Sequence, residues 1–226
     1  MIVYLDIETI GTESPEVIAD LAATVTHPRT MSKPETIAKW EAEEKPALVD
    51  ELVRKTSFDG GLGRIVCIGL AFDDAAPSVY YEGSESAILC NAFDAIRGQN
   101  RLNYHGGKTD KPMTFCGHNI SGFDLRFLWQ RAVCNRIEPP SCIPFRAKPW
   151  DSTIADTMLM WNPERERKVS LDRLCKILGV ESPKGELDGS KVWEYVKAGK
   201  IAEVAEYCAR DVAAVRECHS RMTFRA

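Results

Sequence analysis

The 226-residue sequence contains no apolar run longer than the eight residues from Ile65 to Phe72. A membrane-spanning helix needs roughly 20 such residues, so neither a span nor a membrane partner is expected. None of the eight cysteines (67, 90, 116, 134, 142, 175, 208 and 218) belongs to a C-x-x-C pair. Their scatter through apolar segments argues against a zinc ribbon or disulfide framework and for reduced, mostly buried thiols. Glycine and proline, 15 and 12 residues, are too few for a low-complexity chain. Excess positive charge is also missing, with 29 Lys and Arg against 33 Asp and Glu and a net charge of −4. That balance excludes nucleic-acid binding through bulk charge alone. The charge is uneven, however: residues 126–176 carry 10 basic against 6 acidic residues, whereas residues 1–125 carry 11 against 19. A polyanion could be held on one side. At the N-terminus, MIVYLDIETIG has Asp6 and Glu8 where a secretory signal would be basic and then apolar, so a cytoplasmic protein is expected.

What is present is an ordinary globular composition, 44% apolar and 27% charged, long enough to bury a core unaided. Ile2 to Ile10 reads as a central strand, apolar on both faces. Residues 12–60, rich in Pro, Glu, Lys and Thr, read as an insertion holding one helix from about Lys33 to Lys55. Arg64–Asp73 and Pro77–Glu82 read as strands completing an antiparallel meander. Ser84–Arg97 has the stripe of an amphipathic helix, followed by a loop over 98–112. Met113–Gly117 and Gly122–Cys134 make a strand-loop-helix unit, and Ser152–Trp161 a short strand running into a helix capped by Asp156. Ser170 starts a helix that Gly179 ends, and Val192–Ala198 and Ile201–Arg221 complete a helical last third. This order predicts an α/β fold: a mixed sheet flanked by helices, with residues 1–226 as one domain carrying the insertion at about 12–60.

Asp6 and Glu8 are two apart on a strand, so both side chains project from one face. A central strand does not bury paired carboxylates uncompensated, and a hard divalent cation is the compensation that oxygen ligands favour. Taken alone, Asp6 could equally mark the strand's end with Glu8 in solvent. In GHNISGFDLRFL (117–128), Asp124 opens a helix, where an acidic residue is also favoured by the helix dipole. In EYCARDVAAV (206–215), Tyr207 and Asp211 are four apart and share a helical face beside the apolar stripe, a pattern that an amphipathic helix also produces.

In this order, D-x-E on the first strand (Asp6, Glu8), N-x-x-x-F-D at a middle helix (Asn119, Phe123, Asp124) and Y-x-x-x-D near the C-terminus (Tyr207, Asp211) resemble the three motifs of the DEDD superfamily of 3′-5′ exonucleases. The tyrosine marks its DEDDy branch. The N-x-x-x-F-D form is similar to the proofreading domains of family B DNA polymerases and to stand-alone exonucleases of bacteria and phages. The resemblance spans residues 6–211; its departure is the long 12–60 stretch.

The resemblance implies an RNase H-like fold and a metal-dependent exonuclease that releases mononucleotides from single-stranded or frayed 3′ ends of DNA. Asp6, Glu8, Asp124 and Asp211 would hold two Mg²⁺ or Mn²⁺ ions about 3.5–4 Å apart, the spacing that clamps attacking and leaving oxygens. Asp6 would bridge them, and Tyr207 would orient the attacking water. Thr9, Ile10, His118, Asn119 and Phe123 are implied contacts to the terminal nucleotide, with Phe123 a stacking surface. Arg126, Arg131, Arg136, Arg146, Lys148 and Lys168 are candidates for a phosphate track. Alternatives are an exoribonuclease with the same site, since no residue type here marks the 2′-OH, and a catalytically silent nucleic-acid-binding module.

Overall fold

The computed structural model describes residues 1–105, 113–148, 151–163 and 168–225. Ile2–Ile10 forms strand β1 at the centre of a five-stranded mixed sheet ordered β3-β2-β1-β4-β5. β2 (Arg64–Phe72) pairs antiparallel with β1, and β3 (Ser78–Tyr80) antiparallel with β2, completing the expected meander. β4 (Thr114–Gly117) and β5 (Ile154–Asp156) extend the other side in parallel register.

β1 is apolar on both faces because both are covered. Val3, Leu5 and Ile7 point into a core with Ile68, Leu70, Phe93, Phe115 and Phe127. That core is closed by α4 (Glu85–His105) and α5 (Asp124–Cys134). On the opposite face Tyr4, Ala71 and Cys116 pack against Val212 and Val215 of the C-terminal helix α9 (Ile201–Met222). α6 (Thr157–Trp161) and α7 (Leu171–Leu178) also pack on α9's side, with Met158, Leu174 and Cys175 against Ala214 and Cys218. Ser170 accepts from Arg173 N, and Gly179 adopts the left-handed conformation (φ 66°) that ends α7, as the sequence indicates.

The stretch between β1 and β2 departs from expectation. Three helices occupy it: α1 (Pro15–Thr24), α2 (Pro34–Glu43) and α3 (Lys45–Lys55), followed by a 3-10 turn at Thr56–Phe58. The single helix expected over 33–55 is broken at Glu44 because Pro46, lacking an N–H, fits the first turn of a new helix and not the interior of an old one. Each of the three helices has a proline at its first or second position, a helix-start signal that the single expected helix over 33–55 did not use. Ile18 and Leu21 of α1 and Val49 and Val53 of α3 share a core with Trp193 and Val196 of α8 (Val192–Lys197). α4 likewise runs through Gly98 to His105, where a loop was expected; the remainder of that loop, 106–112, lies outside the described residues. Among the described residues no helix is long and apolar enough to cross a membrane.

Candidate active site

Asp6 and Glu8 lie opposite Gly69 and Cys67 of β2, on the face of β1 that α9 covers. Beyond Glu8 the register slips, with Thr9 pairing Ile65, so that Val66 is the extra residue of a bulge. Such a bulge turns the strand at the point where it leaves the sheet. Glu8 is only 9% exposed, which removes the alternative of a solvent carboxylate at a strand end.

α9 brings the third carboxylate. Tyr207 and Asp211, each 7% exposed, face the sheet one helical turn apart. The helix can approach because residue 69 is glycine: a Cβ there would sit 2.8 Å from both Cys208 Sγ and Val212 Cγ2. Cys208 in turn contacts Asp6, its thiol 3.5 Å from Oδ2 and 3.7 Å from the backbone oxygen. The result is that carboxylate oxygens of Asp6, Glu8 and Asp211 lie within 4.8 Å of one another.

Asp124, the first residue of α5, is 4% exposed and adjoins this set from the far edge of β1. Its Oδ1 accepts from Ile7 N at 3.2 Å, tying α5 to the strand segment between Asp6 and Glu8. The turn that delivers it begins at Asn119, whose φ of 63° is a left-handed conformation that asparagine tolerates. Asn119 O accepts from Gly122 N and Phe123 N, and a Cβ on Gly122 would come within 2.5 Å of Asn119 Oδ1. Asp156, at the end of β5, holds the turn from outside. Its carboxylate accepts from Asn119 N, Ser121 N and Ser121 Oγ while capping α6 through Met158 N and Leu159 N.

The electrostatics follow from that burial. Asp6 and Glu8 are held well above the usual carboxylate range, first by desolvation and then by neighbouring titratable groups: Asp211, Glu8 and Asp124 for Asp6, and Cys67, Asp211 and Asp124 for Glu8. Burial pushes Asp124 up to about 7 against hydrogen bonds that pull it down. Asp211 is raised to about 6, again by burial, while a hydrogen bond from Tyr207 and the charges of Arg210 and Lys184 lower it. The Tyr207 phenol is pushed far up by burial, then by Asp211 and Glu8, so it stays protonated and donates.

These residues fit divalent cations. Oxygen donors suit Mg²⁺ or Mn²⁺. Asp211 Oδ1 is buried without a hydrogen-bond partner, a costly state that a bound cation relieves.

Other implied residues are placed differently. Ile10 is 2% exposed in the core under α8 and α9, so its side chain is out of a nucleotide's reach. Both ring nitrogens of His118 are engaged within the chain, Nε2 with Val169 O at 2.8 Å and Nδ1 with Thr157 Oγ1 at 2.9 Å, and its pKa is lowered by burial. That makes it a tie between β4, α6 and the start of α7. Thr9 is half-buried and donates to Ser57 O at 2.8 Å. Phe123 is half-buried between Phe127 and Phe58, with centroids 5.5 and 6.3 Å away. Arg131 is withdrawn from the phosphate track by its two-nitrogen bond to Glu85, at 2.8 and 2.7 Å. Gly69, Cys208 and the clamp at Asp156 were not singled out from the sequence for the site; the only signal was the position of Cys208 on the same face as Tyr207 and Asp211.

A mixed sheet in this order, flanked by helices and with carboxylates from its central strand facing another on the last helix, has the RNase H-like fold. Residues 100–221 match the family described as "Predicted 3'-5' exonuclease related to the exonuclease domain of PolB", and the chain belongs to that family. The matched span contains Asp124, Tyr207 and Asp211; Asp6 and Glu8 join them through the sheet. Among solved structures the chain is similar to the family B DNA polymerase from the hyperthermophilic archaeon Pyrobaculum calidifontis, with a TM-score of 0.57 and 15% identity. The similarity covers 99% of this chain and 24% of the polymerase, so the chain spans about a quarter of its length, and the likeness is one of fold. No curated protein matches the chain.

Proposed function

We propose that this chain is a metal-dependent 3′-5′ exonuclease of the tyrosine branch that releases mononucleotides from single-stranded or frayed 3′ ends of DNA. Residues 1–226 act as one domain, with 12–60 an insertion on it. The observation that supports this most is the clustering of Asp6, Glu8 and Asp211 within 4.8 Å, with a buried Asp211 oxygen lacking a partner. Asp6, Glu8, Asp124 and Asp211 would hold two Mg²⁺ or Mn²⁺ ions, which when bound supply the Lewis acidity for phosphodiester hydrolysis. Because burial and mutual crowding raise their pKa values, the carboxylates would release protons when such ions are held. Tyr207, kept protonated, would orient the attacking water by a hydrogen bond at its hydroxyl. Asn119 and the Asp156 clamp hold the loop that aims Asp124, and Phe123 and Thr9 line the approach to the carboxylates.

The test is digestion of 5′-labelled single-stranded DNA, blunt duplex DNA and RNA with Mg²⁺ or Mn²⁺. Stepwise shortening of the single strand, slower on the duplex and abolished by EDTA, is the expected result. Faster loss of RNA would reassign the substrate, and binding without shortening in either metal would make the chain a silent module.

A further inference from the structure

Phe58 is 68% exposed, although the turn that carries it is held on every side. Ser57 O accepts from Thr9 Oγ1 at 2.8 Å, and Phe58 O accepts from Arg126 Nη2 at 3.4 Å. Thr56 Oγ1 accepts from Thr12 N at 2.7 Å and donates to Val53 O at 2.6 Å. After it, Asp59 N donates to Thr56 O, and Asp59 O accepts from Leu62 N and Gly63 N. Gly60 lies so close to α5 that a Cβ would meet Gln130 Oε1 at 2.6 Å, while its carbonyl accepts from Arg131. The ring is therefore held out from a fixed turn.

Its position has a direction. Thr9, which anchors the turn, directly follows Glu8, and Phe123, which meets the Phe58 ring edge-on, directly precedes Asp124. The exposed ring thus stands where chain segments from two carboxylates converge. Leu62, 39% exposed, adds apolar surface on the same loop, and Arg126 brings a cation to its backbone. Aromatic rings beside a backbone-tracking cation are the elements of sequence-tolerant single-strand binding, because every base has a face to stack. A base inside a duplex has its faces stacked on its neighbours, whereas a base of a flexible single strand can turn a face to the ring.

We propose that Phe58 is a preorganised stacking platform for a nucleobase of the unpaired strand whose 3′ end enters the carboxylate site, and so selects single-stranded over paired ends. The proposal rests on the nuclease reading above. It gives the 12–60 segment a role, since the turn is where that segment rejoins the sheet.

The experiment measures binding of a fluorescently labelled single-stranded 12-mer in Ca²⁺, an ion used to load the site while suppressing turnover. Phe58→Ala is expected to bind about tenfold more weakly than wild type, within the range for loss of one stacked base. Phe58→Trp should bind as wild type does, with tryptophan fluorescence quenched on adding an unlabelled 12-mer beyond the change in the wild-type chain. Because Phe58 is exposed, both variants should melt as wild type does. Binding by Phe58→Ala within twofold of wild type, or no extra quench in Phe58→Trp, overturns the proposal. Wild-type turnover in Mg²⁺ separates the two readings. Phe58-dependent binding without turnover would sink the nuclease and keep the platform; turnover with Phe58-independent binding would do the reverse.

Discussion

Asp211 shows how one side chain can be poorly placed for stability and well placed for chemistry. One of its oxygens is buried without a partner, and Asp6 and Glu8 crowd it. Removing any ligand relieves that repulsion. Asp6→Ala, Glu8→Ala, Asp124→Ala and Asp211→Ala should each nearly abolish metal-dependent hydrolysis while melting, metal-free, at or above the wild-type temperature. A variant that kept wild-type turnover in Mg²⁺ would remove its residue from the metal site. Tyr207→Phe deletes a buried hydroxyl and leaves the ring packed in the α8–α9 core. It should lose most of kcat with little change in single-strand affinity; weak binding with normal turnover would move Tyr207 to substrate recognition. Asp156 is the opposite case, a carboxylate 1% exposed that accepts from five protein donors. Asp156→Ala strands those donors and should cost about 3 kcal/mol of stability by denaturant titration. The released loop should also lower turnover.

At the scale of elements, the site depends on how closely α9 lies on β2. Gly69 sets that distance, since a methyl group there would collide with Cys208 and Val212 at 2.8 Å. Gly69→Ala should therefore shift α9 outward, weaken Mg²⁺ binding by calorimetry and reduce turnover, with a destabilisation of about 1–3 kcal/mol from overpacking. Unchanged metal affinity in a folded Gly69→Ala protein would show that the three carboxylates do not need α9 at this spacing. The insertion helices act elsewhere. α1 and α3 share a core with Trp193 and Val196 of α8, and the turn that follows α3, at Thr56–Phe58, is bonded to Thr9 beside Glu8.

For the molecule as a whole, the buried carboxylates make metal-free stability depend on pH. Asp124 and Asp211 titrate near 7 and 6 in the fold, against about 4 for unfolded carboxyl groups. The fold then binds protons that the unfolded chain has released, so this contribution is complete below about pH 4 and is lost as pH rises through 6 and 7. His118 and His219, their pKa values lowered by burial, act with the opposite sign as pH falls. The comparison is therefore with Asp124→Asn/Asp211→Asn. Between pH 5 and 8 in EDTA, the wild-type melting temperature should fall relative to the double variant, and Mg²⁺ should restore it most at pH 8. Parallel curves would mean that these carboxylates are ionised in the fold without metal.

Local pattern was enough to specify much of this protein. Period two on β1 places Asp6 beside Glu8, period 3.6 on α9 places Tyr207 beside Asp211, and Ser170, Gly179 and Asp156 punctuate their helices as their side chains and dihedrals require. The ordered motifs made the family and mixed sheet legible because each spans only a few consecutive residues. What stayed hidden involved two elements at once. Whether Glu8 was buried depended on α9, α9's approach depended on Gly69, and the fates of Ile10, His118 and Arg131 depended on partners at least 39 residues away, among them Trp193 of α8, Tyr207 of α9, Thr157 of α6 and Glu85 of α4. Nothing in the sequence around Phe58 marks it out from the rest of the insertion. Only the packed turn, bonded to Thr9 on one side and touching Phe123 on the other, holds its ring in solvent. Exposure is set by what the rest of the chain leaves uncovered, and no local periodicity encodes that.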